Sequence, residues 1–375
     1  MKRVRFLVVG GGFAGASAAF HLARMGAKGV LVIEREEAAG RNSSGLNAAM
    51  VTQTGGDPSV EEMARRGAAF IRRPPDGWPG GIRFAATGSL FLASGERLKD
   101  REAAAERARA AGLEAEVRGG GWARQRHALL EGNPAEGALW CPSDGVVDIQ
   151  GLLQGFLGGA QALGAEFWLG CELRSIGAGG GEEFTAETSR GAVRAGCIVN
   201  AAGAWSGAVA GMAGAAQPPL RPCRRHLFRT DAVSWVRGDW PIAWDLDEGC
   251  YFRPEAGGLL LSPCDEDEHP PALPEVDAAA RELLREKLGR RFPRLQWLRY
   301  AAGWACLRTF APDGRFAIGW DPGVPGFFWV GGLGGHGATC SGAVGELAAR
   351  LLLGREDPWG VAADFSPARF AQHAS

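Results

Sequence analysis

The chain has 375 residues, of which 46% are hydrophobic and 22% are charged, as in an ordinary globular protein. One hydrophobic core seldom serves a chain of this length, so the sequence predicts two domains. The formal net charge of -1 gives no basis for a nucleic-acid partner. The eight cysteines are scattered without a C-x-x-C pair, which argues against a disulfide framework or a zinc site and predicts a reducing, cytoplasmic location.

Neither a membrane segment nor a metal site is predicted. No uninterrupted apolar run is long enough to span a bilayer, so we expect at most a peripheral association with the inner face of a membrane. The apolar run near the first residue breaks at glycines 10–12 without a cleavage signal, and we interpret it as a buried strand. The acidic run "CDEDEH" at 264–269 is interpreted as a solvated turn.

The first predicted elements form a β–α–β unit, with a strand at 4–9, a helix at 13–26 and a second strand at 29–34. A polar loop at 40–56 comes next. The later predicted elements, in chain order, are a helix near 58–72, a strand at 89–94, a charged helix at 96–112, a turn and amphipathic helix within 144–167, a hairpin at 184–200, a charged helix near 276–289 and a last helix at about 338–353.

These elements fall into alternating blocks. Rossmann-like pieces lie at 1–75, 144–215 and 305–375, while segments richer in strands and aromatic residues lie at 76–143 and 216–304. The pattern predicts an α/β fold in which a Rossmann-like, cofactor-binding domain is interleaved with a substrate-binding domain. We expect the second domain to be α+β and to be built on a mixed or antiparallel sheet.

The first β–α–β unit contains the spacing Gly10-x-Gly12-x-x-Gly15. The first glycine allows a tight turn, the second lets the backbone approach a pyrophosphate, and the third lets the helix pack closely on the strand. The N–H groups at the helix start then hold the phosphates. Glu34 ends the second strand, where its carboxylate can accept the ribose hydroxyls. This arrangement predicts a dinucleotide site, although it does not separate FAD from NAD.

A second cluster of glycines, from Gly331 to Gly337, also follows a strand and precedes a helix. A helix start facing a flavin ring would stabilise the negative charge of the reduced ring. Two such loops in one fold therefore favour FAD, which has a diphosphate and a reducible ring. The alternative interpretation is a glycine cluster that serves packing alone.

Eight segments resemble the D-amino-acid oxidase / glycine oxidase / sarcosine oxidase family of FAD-dependent oxidoreductases. They run nearly from end to end in the family's order: "VVGGGFAGASAAFHLA", "VLVIERE", "SSGLNAAM", "DGVVDIQGLLQG", "IVNAAGAWSGAVA", "CYFRPEAGGLLLSP", "WACLRTFAPDGRFAIGW" and "GFFWVGGLGGHGATCSGAVGELAA". Among the family's branches, these motifs are most similar to bacterial D-arginine dehydrogenase.

The resemblance implies a set of cofactor-binding positions along the whole chain. They are Gly10, Gly12, Phe13, Ala14, Gly15, Glu34, Arg35, Ser43, Ser44, Asn47, Ala48, Ala49, Met50, Leu173, Ala201, Gly203, Trp205, Cys306, Arg308, Gly334, Gly335, His336, Gly337, Ala338 and Thr339.

On the substrate side, the resemblance implies that Arg308 binds the carboxylate of an amino acid, as a bidentate arginine does best, and that Tyr251 shares it. Arg224 is a weaker candidate for the pocket. The alternatives are that Arg225 is the pocket residue instead, or that both arginines are surface charges. His336 suits an acid/base, a flavin contact or an aromatic wall. The implied reaction is oxidative deamination of a D-amino acid by hydride transfer to flavin N5. The imine product then hydrolyses to a 2-oxo acid and ammonia.

The chain departs from the D-arginine branch at three positions. Ser89 stands where that branch has the acid that binds a cationic side chain, and Met50 and Gly55 replace a histidine and a tyrosine. We therefore expect an uncharged substrate side chain. A lysine that activates oxygen in sarcosine oxidases corresponds to Leu260 here, which favours a quinone or another carrier over O2 as the electron acceptor.

Cys306 leaves two questions open. It stands seven residues before Asp313, as does the cysteine that binds flavin covalently in sarcosine-oxidase-like members. A covalent link through Cys306 is thus an alternative to a small buried thiol, and the thiol is the favoured interpretation. The same residue supports a second activity, the oxidation of a secondary amine such as sarcosine or another N-methyl amino acid. An alternative of another class is a non-catalytic flavin-binding subunit of a larger complex.

Overall fold

The computed structural model describes residues 1–178, 183–215 and 218–373. The strands are β1 (Lys2–Val9), β2 (Val30–Ile33), β3 (Met50–Val51), β4 (Phe84–Ala85), β5 (Ser89–Ala93), β6 (Glu116–Gly119), β7 (Gly137–Cys141), β8 (Gly145–Val147), β9 (Glu166–Trp168), β10 (Leu173–Ala178), β11 (Phe184–Thr188), β12 (Gly191–Asn200), β13 (Arg221–Thr230), β14 (Ile242–Asp245), β15 (Cys250–Glu255), β16 (Gly258–Ser262), β17 (Tyr300–Phe310), β18 (Ala317–Trp320) and β19 (Phe327–Gly331). The helices are α1 (Phe13–Arg24), α2 (Pro58–Arg72), α3 (Gly95–Ala110), α4 (Gly120–Arg126), α5 (Ile149–Ala162), α6 (Ser206–Ala213), α7 (Ala278–Arg291), α8 (Ser341–Leu352) and α9 (Ala362–Phe365).

The first of the two large sheets has a parallel centre. Its strands β19, β12, β1, β2 and β9 lie side by side in that order, each parallel to its neighbour. The antiparallel strands β18 and β11 flank β19 and the first half of β12, and β10 extends the β11 hairpin. Parallel strands need helical crossovers that cover the sheet, and both faces are indeed buried.

Alternate side chains of the parallel strands enter two different cores. In β1, Phe6 and Val8 point to the core formed with α1, α2, α5 and α8. Leu7 and Val9 point to the opposite core, which includes α6 and the β10–β11 hairpin. Successive side chains point to opposite faces of the sheet and both faces are buried, so the strand sequences are continuously apolar.

The second large sheet has the order β17-β13-β16-β15-β14-β5-β7-β6. All of its neighbouring pairs are antiparallel except β14 and β5, which run parallel. The α/β fold with a mixed second sheet is thereby confirmed. The predicted domain boundary between 304 and 305 falls inside β17, so residues 305–310 belong to the mixed sheet.

The two faces of the mixed sheet have different partners. One face buries Phe252, Leu259 and Leu261 against α7, through residues such as Leu284. The opposite face carries Tyr251, Leu260 and Cys306, which pack against Ala48 of the loop before β3. The mixed sheet therefore presents its second face to the residues that follow the first β–α–β unit.

A small third sheet, in the order β3-β8-β4, joins these two parts. Helix α2 and strand β5 match their predicted positions closely. The last helix does not: α8 begins at Ser341 rather than near position 338. In the described ranges, no helix has the length and apolar character needed to cross a membrane.

Candidate active site

A cavity of about 350 Å³ lies between the parallel sheet and the mixed sheet. The residues that follow β1, β2, β12 and β19 all reach it, so it sits at the carboxyl ends of parallel strands, where open α/β sheets bind ligands. Most of the predicted positions line it: Gly10, Gly12, Phe13, Ala14, Glu34, Arg35, Ser43, Ser44, Asn47, Ala48, Ala49, Met50, Leu173, Ala201, Gly203, Trp205, Cys306, Arg308, Gly334, Gly335, His336, Gly337 and Ala338.

The first glycine loop has a distinct requirement at each glycine. Gly10 has a φ of +108° and would place a Cβ 2.5 Å from the carbonyl oxygen of Ala201. Gly15 does not line the cavity, and its Cβ would lie 1.9 Å from the oxygen of Gly10. Gly12 is the N-cap of α1, and neither its N–H nor that of Ala14 has an acceptor among the described residues. This end of the cavity thus offers free N–H groups at a helix start.

The acidic end of the cavity is built around Glu34. Its carboxylate accepts hydrogen bonds from the N–H of Gly11 at 2.8 Å and from the N–H of Glu36 at 2.9 Å. The next side chain, Arg35, stacks on Trp205 with its guanidinium carbon 4.5 Å from the ring centroid. Leu173 lines the same cavity from β10.

The loop at 40–50 uses its polar side chains to hold its own shape. The Ser44 hydroxyl accepts from the N–H of Phe13 at 3.0 Å, and the Ser43 hydroxyl donates to the carbonyl of Leu307. The Asn47 amide donates to the Ser44 carbonyl at 2.8 Å and accepts from the N–H of Ala49 at 2.7 Å. These three residues therefore fix the cavity wall through protein contacts.

Two side chains of the mixed sheet also bind this loop. Arg253 is buried and donates to the carbonyl of Ala48 at 2.7 Å, and Trp304 donates to the carbonyl of Leu46 at 3.0 Å. The two sheets are thus connected by hydrogen bonds directly at the cavity.

The second glycine loop is not itself a helix start, because α8 begins four residues after Gly337. Its glycines instead permit close contacts with β17. A Cβ on Gly334 would lie 2.8 Å from the Phe310 ring, and one on Gly335 would lie 2.6 Å from Nη1 of Arg308. The N–H groups of Gly337 and Ala338 have no acceptor in the described part of the chain. Thr339 lies outside the cavity wall and donates to the carbonyl of Met50 at 3.1 Å.

Arg308 is the cationic side chain at this end of the cavity. It projects from β17, is 9% exposed, and lines the cavity. No carboxylate within the described ranges forms an ion pair with it. A buried guanidinium without a carboxylate is costly, so this cavity is electrostatically suited to an anion.

Tyr251 lies behind the cavity wall rather than on it. Its ring packs on Trp244, 5.0 Å between centroids, and its hydroxyl is buried without a hydrogen-bond partner among the described residues. Burial raises the pKa of Tyr251, so the hydroxyl keeps its proton and remains a donor. The nearby Arg308 opposes that shift, which places the two groups in one electrostatic environment.

His336 and Cys306 complete this end. Burial, together with repulsion from Arg308, lowers the pKa of His336 to about 4, so the imidazole is neutral at neutral pH. Its ring is 6.3 Å from that of Phe316. Burial also raises the pKa of the Cys306 thiol, which disfavours the nucleophilic thiolate.

Arg224 and Arg225 are not brought into the cavity. Arg224 pairs with Asp277 at 2.9 Å beside a separate surface depression. Arg225 is buried and donates to the carbonyl of Asp265 at 2.7 Å. The run at 264–269 is correspondingly less solvated than expected, since Asp265 is buried and bonds to Nδ1 of His226 at 2.7 Å.

Sequence reasoning missed several cavity residues. They include Arg41, Thr52, Trp244, Leu307, Thr309 and Leu333. Trp244 could have been found from the sequence. The turn "DLDEG" predicts a hairpin, and the pairing of its two strands places Trp244 opposite Tyr251, as observed. Leu307, Thr309 and Leu333 lie within segments that resemble the family but were not singled out, and Arg41 and Thr52 lie outside those segments.

The shape and the polar groups of the cavity fit FAD. It combines the free N–H groups of Gly12 and Ala14, the acid Glu34, and a second set of free N–H groups at Gly337 and Ala338. An added Cβ at Gly10 would collide with the backbone of Ala201, so the narrow passage requires glycine. These features fit a long ligand with an anionic centre and a second electron-rich end.

Comparison with known proteins also indicates FAD as the cofactor. Residues 5–351 match the family described as DAO, FAD dependent oxidoreductase. The FAD-dependent oxidoreductase domain-containing protein 1 of Bos taurus is 27% identical, with 94% of this chain and 82% of that protein covered. The mitochondrial sarcosine dehydrogenase of Homo sapiens is 25% identical, but the chain spans only 40% of its length, with 94% of this chain covered.

Among solved structures, L-proline dehydrogenase from P. horikoshii has the same fold. Its TM-score is 0.89 at 23% identity, with 99% of each chain covered. FAD is the cofactor of this family, and its donors are amino acids and amines. The chain belongs to the family of FAD-dependent oxidoreductases.

Proposed function

We propose that this enzyme oxidises the α C–N bond of an amino acid with an uncharged side chain, and that Arg308 binds its carboxylate. The observation that carries the proposal is the buried Arg308 guanidinium on the cavity wall, which has no carboxylate partner in the described residues. A non-catalytic flavin-binding subunit would not need such an anchor.

The other residues receive their roles from this anchor. Tyr251 is the second donor that we propose for the carboxylate, although its ring lies behind the wall residue Trp244, so this role requires the hydroxyl to be reached past that ring. A bond there would recover the free energy of an unpaired buried hydroxyl. The neutral His336 adds no positive charge near Arg308 and serves as a wall of the pocket. When bound, FAD supplies the acceptor for the hydride that leaves the substrate's α-carbon. The protein contributes orientation and electrostatics.

The cavity wall supports an uncharged substrate side chain. Near Arg308 it is formed by Met50, Trp244 and Leu333, together with small residues. The acidic residues of the wall, Glu34 and Glu172, lie at the other end, where the chain segment of Glu172 adjoins Glu34. A cationic side chain would therefore find no counter-charge on the wall beside the carboxylate anchor.

Two forms of the substrate are compatible with this site. A D-amino acid is the form that the sequence motifs favour. A secondary amine such as sarcosine is the second candidate, and the names of two similar proteins, sarcosine dehydrogenase and L-proline dehydrogenase, favour it. Cys306 on the cavity wall agrees with this second form.

The test is anaerobic reduction of the bound flavin, measured as the loss of its absorbance at ~450 nm. Only a productive site delivers hydride to the flavin ring. D-amino acids and N-methyl amino acids are added separately. Bleaching by one set identifies the donor form, and bleaching by neither contradicts the proposal. L-amino acids serve as the stereochemical control.

Arg308 is tested in the same assay. For Arg308→Ala we expect kcat/KM to fall by about a hundredfold, because a charged hydrogen-bonded pair contributes about 3 kcal/mol. Arg308→Lys keeps the charge but loses bidentate geometry, so its loss should be smaller. An unchanged KM in Arg308→Ala would show that the carboxylate binds elsewhere.

A further inference from the structure

A fully buried carboxylate, Asp144, lies in the turn before β8 and takes no part in the site described above. Its Oδ2 accepts a hydrogen bond from the Ser89 hydroxyl at 2.6 Å, and its Oδ1 accepts one from the Gln53 side-chain amide at 2.9 Å. No ion pair to Asp144 occurs in the ranges that the structure describes. Two neutral donors compensate a buried charge incompletely, so Asp144 costs stability where it stands.

The charged and titratable groups around Asp144 come from three elements. Arg72 of α2 is the nearest cation, but it donates to the Ser143 carbonyl and to Gln53 rather than to Asp144. Cys141 of β7 faces the same space, and burial together with Asp144 raises the pKa of its thiol. Arg101 of α3 approaches Cys141 from the other side. Burial raises the pKa of Asp144 to about 6 against the opposing hydrogen bonds and Arg72.

The residue that Asp144 holds, Gln53, is next in the chain to a residue that lines the active-site cavity. We call residues 50–56 the wall segment; two of its members, Met50 and Thr52, line the cavity. Gln53 follows them, is fully buried, and carries the only side-chain amide of the segment. Asp144 thus connects the wall segment to Ser89 of the mixed sheet, the sheet that carries Arg308.

We propose that Asp144 is a positioning residue that acts through Gln53 to hold Met50 and Thr52 against the substrate end of the cavity. This inference rests on the proposed function, because it assumes that substrate occupies that end. The ionised carboxylate accepts from both Gln53 and Ser89. A protonated carboxyl donates through one oxygen: protonation at Oδ2 reverses the bond to Ser89, and protonation at Oδ1 breaks the bond from Gln53. In both cases Gln53 loses its bond to a charged acceptor, which is the stronger kind, and the wall segment relaxes.

The experiment compares Asp144→Asn with wild type in the FAD-bound enzyme between pH 5.5 and 8. In wild type we expect KM to rise several-fold as the pH falls through about 6, with kcat changing less than twofold. Asp144→Asn keeps the shape without the charge, so its KM should be raised about three- to tenfold at pH 8 and should show no step near pH 6. A flat wild-type profile, or the same step in Asp144→Asn, would overturn the proposal.

Two further variants separate positioning from general stability. Gln53→Ala removes the link to the wall segment, whereas Ser89→Ala removes only the other donor to Asp144, so the first should raise KM more than the second. Equal effects would indicate a structural role alone. Asp148→Asn is the matched control: Asp148 caps α5 and pairs with the exposed Arg83, and Asn preserves a cap. It should leave KM unchanged.

A second readout keeps this test independent of the substrate's identity. Simple carboxylates from acetate to butyrate are titrated into the holoenzyme, and their dissociation constants are measured from the change in the flavin spectrum at pH 6.5 to 8. Asp144→Asn should weaken this binding several-fold without loss of bound FAD. If no amino acid reduces wild type but carboxylates bind with this difference, the proposed reaction fails while the positioning role stands.

Discussion

The two glycine loops of the cavity look alike in sequence but are built for different contacts. The first loop ends at Gly12, the N-cap of α1, so its free N–H groups belong to a helix start. The second loop runs past Arg308 and reaches α8 only at Ser341. Its glycines at 334 and 335 allow β17 side chains to approach. The first loop is thus shaped by helix packing and by a helix start, and the second by its contacts with Phe310 and with Arg308, the substrate anchor that we propose.

The largest effect that separates the two loops is expected from Gly15→Ala. The new Cβ would lie 1.9 Å from the backbone oxygen of Gly10, which no side-chain rotation can relieve. We expect α1 to be displaced from β1, with loss of bound FAD and a lower melting temperature. In Gly12→Ala the nearest atom is the movable Ser44 hydroxyl, at 2.8 Å, so the loss should be smaller. Equal FAD content in Gly15→Ala and wild type would contradict this assignment.

An intermediate effect is expected from Gly335→Ala in the second loop. Its Cβ would lie 2.6 Å from Nη1 of Arg308, and the guanidinium can move away. We therefore expect about a tenfold rise in KM with normal FAD content, equivalent to about 1.4 kcal/mol. Gly337→Ala is the comparison within the same loop: among the described residues its Cβ would meet Leu333 alone, at 4.0 Å, so it changes the cavity wall without touching Arg308. If both variants raise KM alike, the loop does not act through Arg308.

The last effect acts on folding stability rather than on FAD content or KM, and it concerns a histidine of the helix that follows the first loop. His21 of α1 is buried, its ring nitrogens have no hydrogen-bond partner among the described residues, and burial lowers its pKa to about 3. The unfolded chain takes up this proton below about pH 6.5 and the folded protein does not, so stability falls as the pH drops from 6.5 towards 3. At pH 5 the loss is about 2 kcal/mol.

His21→Phe should remove that loss, because the ring already packs against Phe20 and Phe70. Urea unfolding at pH 7.5 and pH 5 measures it: the variant should gain about 2 kcal/mol over wild type at pH 5 relative to pH 7.5. His269→Gln, at a partly exposed histidine outside α1, is the control variant. A His21→Phe variant that parallels wild type at both pH values would contradict the buried, neutral state of His21.

Motifs with strict local geometry were predictable from the sequence. The Gly10–Gly15 spacing, the acid Glu34 and the helix at 58–72 depend on neighbours close in the chain, and the structure places them accordingly. The glycines of the second loop were also recognised, but the contacts that require glycine there were not predicted. These contacts are with Phe310 and Arg308 on β17, and no rule based on neighbours in the chain predicts them.

Arg224 shows what local reasoning lacks. In the register of β13 and β17, Arg308 is paired with Cys223, so these two side chains share a face of the sheet. Arg224, one residue on, points to the other face and meets Asp277 instead. The sequence of a strand shows which of its residues share a face of the sheet. Only the pairing with a distant strand decides which of the two faces lies towards the cavity.

The interleaved order of the strands has a consequence for how the chain acquires its cofactor. The partners of β1 in the parallel sheet are β2 and β12, and β12 in turn pairs with β19, at Phe327–Gly331. During synthesis the first glycine loop, for which we predict the diphosphate contact, leaves the ribosome about 300 residues before Arg308 and the second glycine loop. Such non-local pairing folds slowly, so the emerging chain exposes an incomplete parallel sheet until β19 has been made. Supply of FAD during expression should therefore improve the yield of folded enzyme.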